Sequence, residues 1–143
     1  MNVRSILERK GRAVATVRPD ASVEAAVALL RLKGIGALVV SRDGENVEGI
    51  ISERDVVRAM AEFGAEIGAM HVAALMSREV VTCDEADDIA ALMRLMTERR
   101  IRHLPVIARG ALAGIVSIGD VVKSRIEEVE SEATAMRELI AQA

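Results

Sequence analysis

Aromatic side chains are nearly missing from this chain: Phe63 is the only one among 143 residues, with no Trp and no Tyr. That removes a stacking platform for exposed bases and an aromatic cage for a cation. Cysteine is as scarce. A lone Cys83 excludes an internal disulfide and any paired-cysteine redox or zinc site, which predicts an intracellular, cytoplasmic protein. No apolar run reaches the roughly 18 residues of a membrane helix, so no bilayer span is expected. Nineteen basic against 22 acidic side chains give a net charge of −3, without the positive excess of a general nucleic-acid binder. What remains is 51% hydrophobic and 29% charged, the composition of one ordered globular unit. The basic opening segment (Arg4, Arg9, Lys10, Arg12) has the look of a transit peptide, but Glu8 and the repeat described next make it part of the fold.

The sequence matches itself. An offset of 66 pairs Val14/Val80, Thr16/Thr82, Ala25/Ala91, Leu29/Leu95, Ile35/Ile101, Leu38/Leu104, Val40/Val106 and Gly44/Gly110. One residue then drops out at a turn, and an offset of 65 pairs Gly49/Gly114, Ile50/Ile115, Ser52/Ser117, Asp55/Asp120, Val56/Val121 and Val57/Val122. Fourteen identities within 45 residues mark duplicated supersecondary units that bury their apolar faces together. Each unit reads as strand, helix, strand, hairpin turn, strand, helix.

In the first unit, Ala13–Val17 is the opening strand and Ser22 the N-cap of a helix whose stripe is Val23, Ala26, Val27 and Leu30. Ala37–Val40 is a buried strand, Asp43-Gly44 the hairpin turn, and Val47–Ser52 the return strand before a helix with Val56, Val57 and Met60 inside. The second unit repeats this with Val80–Cys83, a helix near Asp88–Arg99, Leu104–Ile107, Ala111–Ser117 and a long last helix. Matched lead-ins, Val3–Leu7 and Val72–Met76, precede the two units. The division is 1–64 for the first repeat with its lead-in, 65–71 for a linker, and 72–143 for the second repeat with a helical extension. In that extension Val122, Ile126, Val129, Ala133, Met136 and Ile140 form a four-three-four seam suited to a partner helix or to the module's own core.

The sharpest repeated feature is Gly49-Ile50-Ile51-Ser52-Glu53-Arg54-Asp55 against Gly114-Ile115-Val116-Ser117-Ile118-Gly119-Asp120, the exit of the third strand into the last helix. Ser followed three residues later by an acid is a capping box. The same corner presents helix N–H groups to a phosphate, while a carboxylate one turn on can accept from a vicinal diol. The two readings are compatible. Catalytic inventory is thin: two isolated histidines, one cysteine, no Walker-type loop and no metal-ligand cluster, so an enzyme is not expected.

These residues, with Leu75-Met76 and Ile101-Arg102-His103-Leu104-Pro105-Val106, resemble a tandem pair of CBS domains, the cystathionine β-synthase type repeat or Bateman module, of the stand-alone bacterial type. The resemblance spans essentially the whole chain. It implies an α+β sandwich of two pseudo-symmetric β-α-β-β-α repeats packed sheet to sheet, with a long C-terminal helix and clefts for AMP, ADP, ATP or NAD. It implies ribose contacts from Asp55 and Asp120, and phosphate contacts from Ser52 and Ser117. Further ligand contacts are implied for Thr16, Val17 and Arg18, for Thr82 and Cys83, and for Arg54, Ile101, Arg102, His103 and Pro105. The implied role is a non-catalytic regulatory module, usually a homodimer, sensing energy or redox state for an effector protein in trans. A scaffold for protein contacts with empty clefts is the alternative. The repeats differ in charge at Arg54 against Gly119, and at Gly36-Ala37 against Arg102-His103, so the clefts need not take the same ligand.

Overall fold

One device starts most of the helices. Asn2, Ser22, Ser52, Asp88 and Ser117 each stand in extended backbone and accept a hydrogen bond from the N–H three residues on, satisfying a donor that the first turn leaves free. The computed structural model describes residues 1–143. Its elements are α1 (Val3–Lys10), β1 (Thr16–Val17), α2 (Val23–Lys33), β2 (Ala37–Val40), β3 (Gly49–Ser52), α3 (Glu53–Phe63), α4 (Val72–Leu75), α5 (Ile89–Arg99), β4 (His103–Ala108), β5 (Ala111–Ser117) and α6 (Ile118–Ala141). The result is a mixed α/β fold with two small sheets and a long C-terminal helix. In the first sheet β2 runs parallel to β1 and antiparallel to β3; the second is the β4–β5 hairpin.

The second sheet lacks the strand expected at Val80–Cys83, and the repeat register explains why. In the first repeat Val39 N–H donates to the Ala15 carbonyl and Ser41 N–H to that of Val17. Ile107 N–H donates to the Cys83 carbonyl at 2.9 Å, matching the second bond. The first has no counterpart, because Pro105 occupies the position of Val39 and has no N–H to give. Only the isolated bridge Cys83–Val106 survives. The opening strand of the first repeat is likewise reduced, from Ala13–Val17 to Thr16–Val17.

Both lead-ins cross over. Val3, Ile6 and Leu7 of α1 pack in one core with Leu92, Leu104, Val116 and Val121 of the second repeat. Val72 and Met76 fill the core of the first, beside Leu30, Leu38 and Ile51. Backbone bonds repeat the exchange: Val3 N–H to Asp87 O and Arg4 N–H to Glu85 O on one side, Val72 N–H to Ala21 O and Ala73 N–H to Pro19 O on the other. Each such apolar side chain, fully buried, contributes about 1.5–3 kcal/mol. The repeated glycines make room for these visitors. A Cβ on Gly114 would lie 2.7 Å from Leu7 Cδ2, and one on Gly49 would lie 2.7 Å from Met76 Sδ and 2.9 Å from the Ser77 carbonyl oxygen. Between the repeats, Gly64–Ala69 coils into a 3-10 helix, and Ile67 packs on Val23 and Ala59.

Helix phases differ from the expected stripes in two places. In α3 the inward residues are Val56 and Ala59, while Val57 is 67% and Met60 55% exposed. The capping box at Ser52 fixes the first turn, and with it the phase that turns Val56 to the core. In α2, Val23, Ala26 and Leu30 are buried as expected, but Val27 is exposed. Helix α6 buries Val121 and Ser124 and then leaves the body, with Ile126, Val129, Met136, Leu139 and Ile140 exposed.

Candidate functional site

The two strand-to-helix corners are built alike. Asp55 Oδ2 accepts from the Ser52 N–H at 2.8 Å and the Ser52 hydroxyl at 3.0 Å, and the Asp55 N–H donates back to Ser52 Oγ. Asp120 Oδ2 accepts from the Ser117 N–H at 2.9 Å, and the Asp120 N–H donates to Ser117 Oγ at 3.2 Å. These are reciprocal capping boxes. All carboxylate bonds from the box fall on Oδ2 at both corners; Oδ1 carries none of them.

Each corner borders a cleft whose walls come from both repeats. Ser52 and Asp55 of the first repeat open onto a cavity of about 470 Å³, with Ser77, Glu79–Val81 and Arg99–His103 of the second on the far side. Ser117 and Ile115 of the second repeat open onto one of about 650 Å³, faced by Ala13–Ala15 and Lys33–Ala37 of the first and by Lys10 of α1. Both volumes suit a nucleotide-sized molecule. Gly36 and His103 line both cavities and divide them. The imidazole lies 3.4 Å from where a Cβ of Gly36 would stand, with Glu53 Oε1 at 3.1 Å, so any larger residue at Gly36 would press on this wall.

The electrostatics of the clefts differ. Lys10 Nζ donates to Asp120 Oδ2 at 2.7 Å and to the Ile115 carbonyl at 3.0 Å. Burial opposes ionisation of Asp120, but the Lys10 ammonium and the Ser117 bonds outweigh it and hold the carboxyl below its ordinary value. Asp55 has no such cation; five arginines, Arg54, Arg58, Arg99, Arg100 and Arg102, line its cleft instead. Burial pushes the His103 imidazole below its ordinary value, with Lys10 and Arg102 adding to the shift and Glu53 and Asp120 opposing it. No three His, Cys, Asp or Glu side chains converge as a metal site.

Of the residues singled out from the sequence, Ser52, Arg54, Asp55, Ile101, Arg102 and His103 meet in the smaller cavity. Ser117 and His103 line the larger one, with Asp120 joined to it through Lys10. Thr16, Val17, Arg18, Thr82, Cys83 and Pro105 line neither cavity. The opening segments present Ala13–Ala15 and Glu79–Val81 to the clefts, earlier in the chain than their strand ends. Arg18 turns away to Asp20 and the Arg42 carbonyl. Cys83 is a core residue, 6% exposed, its thiol pushed up to about 12 by burial and by the Asp87 and Asp84 carboxylates. Pro105 is buried within β4. Sequence reasoning did not select Lys10, Lys33, Arg58, Arg99 or Arg100. One signal was present for Arg100: it aligns with Gly34, a helix-ending glycine that the second repeat replaces with a cation.

Comparison with known proteins gives a consistent picture. The CBS domain family model matches twice, at residues 3–62 and 72–127. The mitochondrial CBS domain-containing protein CBSX3 of Arabidopsis thaliana is 38% identical over 79% of this chain, which spans 57% of that protein's length. The crystal structure of the CBS-domain containing protein ATU1752 of Agrobacterium tumefaciens superposes with a TM-score of 0.85 at 46% identity, covering 87% of this chain and 99% of that one. The CBS domain pair of MJ0100, solved with 5′-methylthioadenosine and S-adenosyl-L-methionine, has a TM-score of 0.78 at 22% identity over 90% of this chain and 98% of that one, a likeness of fold.

Proposed function

The chain belongs to the CBS-domain family, and from that membership together with its two clefts we propose a non-catalytic regulatory module that binds adenosine nucleotides and acts on an effector protein in trans. The observation that carries the reading is the division of labour within each aspartate. The capping box occupies Oδ2, and Oδ1 remains to accept from a ribose diol, so the corner that holds the helix can also hold a sugar. The adjoining helix N-terminus favours the phosphate that follows. A related CBS pair takes two adenosine-containing ligands on the same fold, which supports the ligand class.

Walls drawn from both repeats give the ligand a way to act. A molecule bridging them favours one relative setting of the repeats over another, which an effector reads by differential affinity. The exposed apolar side chains Val57, Met60 and Phe63 of α3 and Ile126 and Val129 of α6 support pairing with a second copy. Calorimetric titration with AMP, ATP and NAD tests the reading. Saturable binding to wild type that weakens about ten- to hundredfold in Asp55→Ala or Asp120→Ala is expected. Absence of binding by all three leaves the scaffold alternative and overturns the sensor. Equilibrium sedimentation of the apo and nucleotide-loaded protein tests the pairing, a dimer being the expected species.

A further inference from the structure

We propose that the two clefts divide ligands by charge, and that the Asp55 cleft selects an adenosine 5′-polyphosphate, two or more phosphates long, while the Asp120 cleft takes a less anionic one. This rests on the nucleotide-binding reading above and deepens it. Arg54, Arg58, Arg99, Arg100 and Arg102 line the Asp55 cavity together with Glu53, Asp55 and Glu79, five cations to three anions, and none of the arginines lies within salt-bridge distance of a carboxylate. The excess of cations leaves this cleft positive, and the arginines repel one another there without direct pairing to those three acids. The Asp120 cleft has Lys10 and Lys33, and Asp120 already neutralises Lys10 at 2.7 Å.

Two features show that the arginines are placed against local preference. Arg100 ends α5 in left-handed backbone (φ 54°, ψ 43°), the conformation that Gly34 adopts at the matching position (φ 62°, ψ 39°). A side chain there is strained where glycine is not. Arg54 lies in the first turn of α3, close to the positive end of the helix dipole, where a cation is disfavoured. Arg54 also donates to the Arg100 carbonyl at 3.1 Å, joining the two repeats across the cleft. Planar guanidinium forks at several points along a cleft match a chain of phosphates, each bidentate, better than a single phosphate.

The test is calorimetric titration of wild type and Arg100→Gly with adenosine, AMP, ATP and inorganic tripolyphosphate. Arg100→Gly installs the residue of the first repeat and relieves strain, so the thermal midpoint should hold or rise. For wild type, affinity should increase from AMP to ATP at one site per chain, a site lost in Asp55→Ala. In Arg100→Gly, ATP and tripolyphosphate should weaken about tenfold, the worth of one charge-assisted hydrogen bond, with AMP changed less than about twofold. Equal affinities for AMP and ATP, or an equal loss of both in Arg100→Gly, overturn the charge division while leaving nucleotide binding intact. Tripolyphosphate binding that depends on Arg100, with no binding of any adenosine compound, keeps the polyanion site and overturns the nucleotide reading. Failure of both ATP and tripolyphosphate to bind overturns the proposal.

Discussion

Lys10 Nζ sits 2.7 Å from Asp120 Oδ2, so a residue from the first helix of the chain closes on the acid at the last strand-to-helix corner. The pair ties the exchanged α1 to the second repeat's cleft. It is about a third exposed on the lysine side and a quarter on the aspartate side, so solvent screening limits its worth to less than about 1 kcal/mol. Its electrical effect on Asp120 is larger than its mechanical one. In Lys10→Met the burial that opposes ionisation is no longer outweighed to the same extent, and the Asp120 carboxyl should titrate at higher pH than in wild type. Carbon-detected NMR of the carboxyl reads this directly. The sign for stability follows: Asp120 contributes above its ordinary value near 3.8 and the contribution is lost as pH falls through its lowered folded value. An unchanged titration in Lys10→Met would remove the assigned cause.

The repeated glycines are expected to be intolerant for a reason unrelated to turns. Gly114→Ala drives a methyl to within 2.7 Å of Leu7 Cδ2, and Gly49→Ala sets one against both Met76 Sδ and the Ser77 carbonyl oxygen. Overpacking of this kind costs about 1–3 kcal/mol, with Gly49→Ala the more costly because backbone cannot rotate aside. Urea denaturation measures both. The double variant Leu7→Ala/Gly114→Ala should recover part of the sum of the single losses, since the smaller side chain vacates the space. Strict additivity would show that the two residues do not share it.

His103, in the wall between the cavities, gives stability a pH dependence. Its imidazole titrates below the ordinary value near 6.5 because burial disfavours the cation, with Lys10 and Arg102 close by. A base whose folded value is depressed binds its proton more readily when unfolded. Its stabilising effect is therefore whole above about 6.5 and falls away as pH drops toward the folded value. Thermal melts between neutral and mildly acidic pH should show this loss, and His103→Gln should flatten it. Bound nucleotide should raise the titration point through phosphate charge, which proton NMR of the ring reports.

Cys83 should be unreactive. With the thiol at about 12 and 6% exposed, thiolate is scarce at neutral pH and the sulfur is inside the second core. A thiol reagent such as dithionitrobenzoate should label the native protein only at the rate of unfolding and the urea-unfolded chain at once. Fast labelling of native protein would place the sulfur elsewhere.

The duplicated plan was legible because it lies in local pattern: the two offsets, the cap at Ser22, the helix start near Asp88, and the corners at Ser52 and Ser117 all recur at their expected places. The exchange of lead-ins was not legible. Apolar spacing in Val3–Leu7 and Val72–Met76 says that each needs a core but not which, and two similar repeats offer two similar cores. The missing strand at Val80–Cys83 was readable in principle, since Pro105 stands in the alignment opposite Val39. Strand propensity at Val80–Cys83 concealed it, because the lost bond belongs to the partner strand. The arginine cluster escaped for a different reason: Arg54 and Arg58 belong to one repeat and Arg99, Arg100 and Arg102 to the other, and only the fold brings them to one cleft.

The crossed lead-ins also bear on how the molecule is made. A ribosome releases α1 before either repeat, yet the interior that Val3, Ile6 and Leu7 plug is finished only when Val121 has emerged, over a hundred residues later. The first repeat waits less, needing only residues through Met76 before its own plug arrives. The nascent module therefore carries an apolar, unattached segment, too short to hold a helix alone, until its second repeat is made, and neither half, severed from the other, would have a sealed interior.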